Sequence, residues 1–161
     1  MDLGTTVIGA IFLAFCVVPF VLITQGGKKI EKQLLKKLIA LASTKNCTIH
    51  KHEVCGELAI GIDNQKKVVF FHNKTQETDI EKTIDLSEIE KCTVLNTSKT
   101  IKNKNSSHKA IQKLELVFHP SNKKKPEIAL TFFDIEDSSQ LSGELQMTED
   151  WSKHLNSLLT V

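Results

Sequence analysis

The sequence contains no arginine, so all 21 of its basic side chains are lysines. Arginine recognises phosphate and carboxylate groups through two parallel hydrogen bonds, and lysine replaces it poorly in that role. The 21 lysines face 19 acidic residues, which leaves a net charge of +2 over 161 residues. A nearly neutral chain without arginine lacks the basic surface that is typical of nucleic-acid-binding proteins, and we exclude that class.

Cysteine is scarce as well, with four residues in the chain. Cys16 lies in an apolar stretch, and the other three are Cys47, Cys55 and Cys92. An odd number of cysteines without a regular spacing does not form a disulfide framework. Reduced thiols in a reducing compartment are the simpler interpretation.

Catalytic motifs are absent from the sequence. There is no G-x-S-x-G nucleophile motif. The run from Gly26 to Lys29 lacks the upstream glycine of a phosphate-binding loop. We therefore predict a protein that has no catalytic activity of its own and needs no cofactor.

One alternative is a metal-dependent sensor or enzyme, because Cys47, His50, His52 and Cys55 lie within nine residues. Thiolate and imidazole groups are the ligands that zinc prefers. On a strand, however, the two histidines would point to one face and the two cysteines to the other. One tetrahedral site could collect all four ligands only if the strand bends, so we predict no metal site.

Charge is also missing from residues 3–27. From Val7 to Ile23 every residue is apolar except one glycine and one proline. A bilayer core of about 30 Å requires roughly 20 apolar residues in a helix, so the stretch predicts a transmembrane helix within residues 1–27. A cleaved signal peptide fits less well, because no basic residue precedes the stretch and no A-x-A site ends it. A lipoprotein signal is disfavoured because Phe15, directly before Cys16, is large.

The lysines that follow the stretch predict its orientation. Lys28, Lys29, Lys32, Lys36 and Lys37 surround a single acid, Glu31. Lysine excess marks the cytoplasmic flank of a membrane span. We therefore predict a single-pass protein of the cell (inner) membrane, with its N-terminus outside and residues 28–161 in the cytoplasm. Small residues four apart in the span, Thr6, Ala10 and Ala14, leave homo-oligomerisation through the span open.

Residues 28–45 predict a basic amphipathic helix directly after the span. Its apolar face carries Ile30, Leu34, Leu38 and Leu41 at helical spacing. The five lysines named above, Lys28, Lys29, Lys32, Lys36 and Lys37, are candidate contacts for lipid headgroups, since each lysine near an anionic membrane contributes ~1 kcal/mol. Alternatively, the lysines only determine the orientation of the membrane span, and the helix packs on the domain that follows.

Residues 46–161 predict one domain of antiparallel strands followed by a helix. Apolar residues alternate in seven segments, which are residues 47–54, 58–62, 68–71, 83–86, 91–97, 110–119 and 127–134. Residues 98–108, SKTIKNKNSSH, are interpreted as a polar loop. A helix over residues 145–159 places Trp151, the single tryptophan, on an apolar stripe. Strands without alternating helices indicate the α+β class.

Three segments carry a resemblance to a known family. They are AIGID-NQKK-VVFF, TIDLSEIEKCTV and ELQMTEDW. Together with the order of the elements, they resemble the small membrane-anchored PH-like (pleckstrin-homology-like) domain proteins of Bacteroidetes-type bacteria.

The resemblance implies an antiparallel PH-like β-barrel or sandwich of about seven strands, closed by the C-terminal helix with Trp151 in the core. It also implies a membrane-tethered interaction module that binds a protein, a peptide or a lipid headgroup. The lipid site of PH-like domains is not carried over, because the candidate loop offers only Lys66 and Lys67. A protein or peptide partner is therefore expected.

Overall fold

The structure, a computed structural model, describes residues 28–75, 78–103, 106–138 and 140–160, and for residues 101–103 and 106–109 it describes the backbone alone. The chain divides into two units, one that ends at Gln33 and one that spans Leu34–Val161. We call the second unit the main domain. Residues 28–44 are helical and form α1, whose residues from Leu34 onward belong to the main domain.

No helix among the described residues is long and apolar enough to cross a membrane. Residues 3–27, which carry the predicted transmembrane helix, lie outside the described residues. α1 does not meet this requirement because lysines recur along it, at Lys29, Lys32 and Lys36 among others. The prediction of a transmembrane helix is corrected to this extent: none is found among the residues that the structure describes.

Seven strands of the main domain form two antiparallel sheets. Sheet A contains β1 (Lys51–Cys55), β2 (Leu58–Asp63), β3 (Val68–Lys74) and β4 (Asp79–Asp85), paired in that order. Sheet B contains β5 (Ile89–Asn103), β6 (Ser106–Pro120) and β7 (Ile128–Asp134), again in order. A 3₁₀ turn (Leu86–Glu88) joins the sheets, and α2 (Glu144–Leu159) follows β7.

The prediction of a PH-like β-barrel or sandwich is corrected, because the described sheets do not close into a barrel. A barrel requires strand pairing that continues from one sheet to the next, so that no edge remains. In the described part of the chain, strands pair within sheet A and within sheet B but not between them. Side chains rather than strands bridge the gap, because Lys82 and Asn73 of sheet A donate hydrogen bonds to backbone carbonyls of β7. The fold is an α+β arrangement of two separate sheets.

Sheet A is covered on both faces, and all six residues of β2 are buried. Leu58, Ile60 and Ile62 face the core that lies between the sheets. Ala59 and Gly61 alternate with them and face α1. A Cβ added to Gly61 would lie 2.8 Å from Leu38 Cδ2, so α1 approaches the sheet closely only because this position lacks a side chain.

The main core lies between the two sheets and α2. Trp151 and Leu155 of α2 are fully buried there with Phe71 and Phe132, whose ring centroids are 5.6 Å apart. The spacing of Trp151 and Leu155 along α2 places one apolar stripe of the helix against the sheets, as the sequence indicates. Burial of these large side chains is the main source of the stability of the domain.

Residues 98–103 belong to a strand and not to the predicted loop. β5 and β6 pair from Ile89↔Pro120 to Asn103↔Ser106, whereas β7 pairs only with Lys113–Phe118 of β6. The outer half of the hairpin is therefore a two-stranded ribbon without a third strand. The polar sequence of this stretch indicates a loop, but polar residues are also compatible with a ribbon that has no third strand beside it.

Candidate functional site

The five lysines predicted to contact lipid headgroups do not share one environment. Lys28, Lys29, Lys32 and Lys36 are exposed. Lys37 instead donates a hydrogen bond of 2.7 Å to Asp79 Oδ2 on β4, and its Nζ lies 3.2 Å from His72 Nε2 on β3. Headgroup binding by the first four stays a prediction, while Lys37 already has partners within the main domain.

The cysteines and histidines of the alternative metal-site hypothesis do not converge. The Cys47 thiol donates to Lys45 O, and His50 Nδ1 lies 3.5 Å from Asp63 Oδ1. His52 is exposed at the sheet edge, and Cys55 contacts a different residue, described below. Among the described residues, no group of three or more histidine, cysteine or acidic side chains is arranged to hold a metal ion.

Asp63, which lies beside His50, is held in place by backbone donors. Its carboxylate accepts hydrogen bonds from the backbone N–H groups of Thr48, Gln65 and Lys66. Burial raises the pKa of Asp63, but these three donors and the nearby His50 outweigh burial and hold the pKa below its usual value. Asp63 is thus a structural carboxylate that fixes the β2–β3 turn.

A cavity of about 280 Å³ lies at one end of the sheets, and we call it the end cavity. It is formed by the β1–β2 turn, the last residues of β3 and β7, and the segment that leads into α2. Its buried wall consists of Leu58, Phe132 and Phe133. Four carboxylates line it, those of Glu57, Asp134, Asp137 and Glu144, together with the ammonium group of Lys74.

Cys55, the last residue of β1, lines the end cavity beside Glu144. Burial raises the pKa of the Cys55 thiol to about 11, and the charge and hydrogen bond of Glu144 add to the shift. The thiol therefore stays protonated at neutral pH, whereas nucleophilic cysteines require a thiolate. The end cavity is consequently suited to binding and not to cysteine-based catalysis.

Trp151 holds β1 against α2. Its Nε1–H donates a hydrogen bond of 2.9 Å to Glu53 Oε2, and Lys51 Nζ lies 5.3 Å from the ring centroid. Both charged side chains of β1 that face α2 are thereby engaged by one ring. The full burial of the tryptophan leaves its indole N–H no access to water, so Glu53 is the partner that this group requires.

The outer edge of β5 and the outer edge of β7 are covered by side chains. Asn156 Oδ1 accepts a hydrogen bond from Cys92 N, and Asn156 Nδ2 donates one to Cys92 O. On β7, Lys82 Nζ and Asn73 Nδ2 donate to the carbonyls of Ala129 and Thr131. Asn156 thus forms the two hydrogen bonds with Cys92 of β5 that a neighbouring strand would otherwise form.

The outer edge of β1 has no such cover. Along a strand, the backbone N–H and C=O groups of successive residues point alternately to the two neighbouring strands. The hydrogen bond from Lys74 N to Glu57 O shows that the odd-numbered residues direct these groups toward β3, so the even-numbered residues of β2 direct theirs toward β1. Through the register Glu53↔Ile60, the backbone N–H and C=O groups of His52 and Val54 then point away from β2. No described residue forms a hydrogen bond with these groups.

A polar chain on the outer face of sheet B has the order of a catalytic triad. Thr93 Oγ1 lies 2.7 Å from His119 Nε2, and His119 Nδ1 lies 2.8 Å from Glu127 Oε1. The Glu127 side chain is 62% exposed and His119 is 34% exposed. A catalytic carboxylate works in a water-excluded site. We therefore interpret Thr93, His119 and Glu127 as a hydrogen-bond network on the surface of the sheet.

His72 is a buried residue that the sequence analysis did not single out. Because the Lys37 ammonium group can only donate, His72 Nε2 accepts and the ring proton resides on Nδ1. Nδ1 has no hydrogen-bond partner among the described residues. Burial and then Lys37 lower the pKa of His72, against the opposite effect of Asp79 and Glu81.

No protein-family model, no curated protein and no solved structure matches this chain. Function must therefore be argued from the surfaces themselves. Sequence reasoning missed both the end cavity and the open edge of β1, because each is created where segments distant in sequence meet. The sequence carries one short signal of the end cavity, because Asp134 ends the last strand and two further acids, Asp137 and Glu144, follow it.

Proposed function

We propose that the main domain is an interaction module that binds an extended segment of a partner protein, which adds as a new strand to the edge of β1. The observation that carries the proposal is the set of backbone groups of His52 and Val54 that point outward without a partner among the described residues. An exposed strand edge is a template for pairing with another chain.

β1 is a better edge for this purpose than β4. The register also turns the backbone groups of Glu81 and Thr83 outward on β4. Charged side chains on an edge strand oppose further pairing, and β4 exposes Glu81 and Asp85. On β1 the charged side chains of Lys51 and Glu53 are exposed as well, but both contact the ring of Trp151 on the α2 side.

The edge alone cannot hold a partner firmly. His52 and Val54 offer two N–H and two C=O groups, and each backbone hydrogen bond contributes a net of about 0.5–1.5 kcal/mol. Association costs about 4–15 kcal/mol in lost freedom. Strand addition at β1 therefore requires a side-chain pocket nearby, and the end cavity begins at Cys55, one residue beyond Val54.

The test removes one outward N–H group without disturbing the sheet. Peptides are selected from a random display library against the full chain, and their affinities are measured by fluorescence anisotropy. His52→Pro deletes an edge donor that β2 does not use, and edge positions tolerate proline. Thr83→Pro is the matched control, because it deletes an equivalent donor on β4.

We expect His52→Pro to weaken selected peptides at least tenfold and Thr83→Pro to leave them unchanged. Thermal unfolding of both variants checks that the sheets persist. Equal affinity for the wild type and His52→Pro would overturn strand addition at β1, as would a selection that yields no binding peptide.

A further inference from the structure

We infer that the end cavity binds a lysine or arginine side chain of the segment that adds to β1. This inference rests on the proposed function and names the chemistry of the partner. Three observations support it: Glu144 is a buried carboxylate without a cationic partner among the described residues, the back wall of the cavity is apolar, and the cavity lies at the end of β1.

Glu144 is the carboxylate that requires a cation. It is about nine-tenths buried, and no described lysine or histidine forms an ion pair with it. Its described partners are the backbone N–H of Ser142 and the weakly donating thiol of Cys55. Asp63, the other buried carboxylate, instead accepts three backbone N–H groups.

The N-terminal end of α2 compensates Glu144 only in part. Glu144 occupies the first turn of the helix, where the helix dipole presents roughly half a positive charge. Glu57 and Asp137 add negative charge, whereas the charge of Asp134 is partly compensated because Lys113 Nζ lies 3.9 Å from its Oδ2. The ammonium group that lines the cavity is that of Lys74. A positively charged ligand is therefore favoured.

The walls also select for the shape of the cation. Leu58, Phe132 and Phe133 supply an apolar surface behind the carboxylates. Lysine and arginine pack their methylene stems on such surfaces while the charged end meets polar groups. A volume of about 280 Å³ lies just under the usual range for small-molecule sites, so the cavity suits one long side chain better than a free cofactor.

The position of the cavity links it to the open edge. Cys55 is both the last residue of β1 and part of the cavity wall. A strand advances ~3.3 Å per residue, so a segment paired with His52 and Val54 reaches the cavity within one or two further residues. The edge would fix the backbone of the partner, and the cavity would select its basic residue.

The first experiment tests the cavity without any strand addition. The probes are Nα-acetyl N-methylamides of lysine, arginine, norleucine and glutamine, titrated into the full chain by NMR. We expect the lysine or arginine probe to shift the amide signals of Glu57, Lys74 and Glu144, and the uncharged norleucine probe to shift none of them.

Two variants assign the effect to named carboxylates. Glu144→Gln should weaken the basic probe at least tenfold, and Asp137→Asn, at an exposed position of the cavity, should weaken it severalfold if Glu144→Gln does not fold. Glu136→Gln is the matched control, because Glu136 is exposed in the same segment but does not line the cavity. Equal effects of Asp137→Asn and Glu136→Gln would overturn the assignment.

A second experiment separates this inference from the proposed function. Each basic residue of a selected peptide is replaced in turn by norleucine. A loss of at least tenfold at one position supports the inference. If no replacement matters while His52→Pro still abolishes binding, the inference fails and strand addition stands. If the peptides bind equally to wild type and His52→Pro, the proposed function fails.

Discussion

The helices α1 and α2 both pack on the sheets of the main domain, but they are attached in different ways. α2 buries Met147, Thr148, Trp151 and Leu155 in the core between the sheets, and side-chain hydrogen bonds tie it to β1 and β5. α1 buries Leu34, Leu38 and Ala42 in a separate and smaller cluster on the far face of sheet A.

The polar contacts sharpen this difference. The bonds of α2 include that of the buried Trp151 ring with Glu53 and those of Asn156 with the backbone of Cys92. The polar contacts of α1 with the sheet run through Lys37, which meets His72 and Asp79, and the side chains of Lys37 and Asp79 are 43% and 49% exposed. Exposed ion pairs contribute ~0–1 kcal/mol. The comparison teaches that α2 is part of the core, whereas α1 is an added layer held mainly by three apolar side chains.

The largest expected effect is on the α2 side. Trp151→Ala removes a fully buried aromatic ring and should lower the free energy of unfolding by about 3–5 kcal/mol. Urea denaturation of the full chain measures the change. Trp151→Phe is the comparison variant, because it keeps most of the apolar contact and loses the bond to Glu53. A loss below ~1 kcal/mol for Trp151→Ala would show that α2 is not part of the core.

An intermediate effect is expected under α1. Gly61→Ala places a Cβ 2.8 Å from Leu38 Cδ2 and should cost ~1–3 kcal/mol by overpacking. Leu38→Ala should cost ~2–5 kcal/mol by leaving a cavity. In the double variant the new methyl group occupies space that the leucine has vacated, so the two costs should sum to less than their separate values.

Urea denaturation of the wild type, both single variants and the double variant gives this coupling. Strict additivity would mean that Leu38 does not contact Gly61, and the position of α1 on sheet A would then be wrong. The comparison of the two helices predicts that each of these changes leaves the hydrogen bonds of α2 intact.

The smallest effect concerns pH. His72 under α1 and His154 on α2 each have one buried ring nitrogen without a partner among the described residues. Burial lowers the pKa of both below the ordinary value of 6.5. The unfolded chain therefore binds protons more readily, and stability falls as the pH drops below about 6.5, by at most ~1.4 kcal/mol per pH unit for each ring.

Replacement by glutamine separates the two rings. His72→Gln keeps an acceptor for Lys37 and should remove the share of acid sensitivity that arises under α1. His154→Gln should remove the other share. Urea denaturation at pH 7.5 and pH 5.5 measures both. An unchanged pH dependence in His72→Gln would show that the ring is not held neutral beneath α1.

The sequence predicts elements well where a local pattern determines them. Alternation locates β2, a continuous apolar run locates β3, and the turn between them lies where Asp63–Lys66 indicates it. Helical spacing locates α2 and places Trp151 on its buried stripe. These patterns persist because each face of an element meets one uniform environment.

Features that depend on distant partners were not predictable in this way. Lys37 is predicted to meet lipid, but its partner Asp79 lies 42 residues away in the sequence. The closed barrel fails because side chains such as Asn156 cover an edge that another strand would otherwise pair, and periodicity carries no sign of that choice. The end cavity is formed by four separate segments, so no single stretch of sequence displays it.

The hairpin of β5 and β6 continues well beyond the last residue of β6 that pairs with β7, from Ser98↔Ile111 to Asn103↔Ser106. Side chains alternate with a period of two along both strands. Evolution can therefore lengthen or shorten this outer half by two residues on each strand at once, and every residue nearer the core keeps its face and its partner. Such a change would alter the reach of the hairpin and leave the two sheets beneath it unchanged.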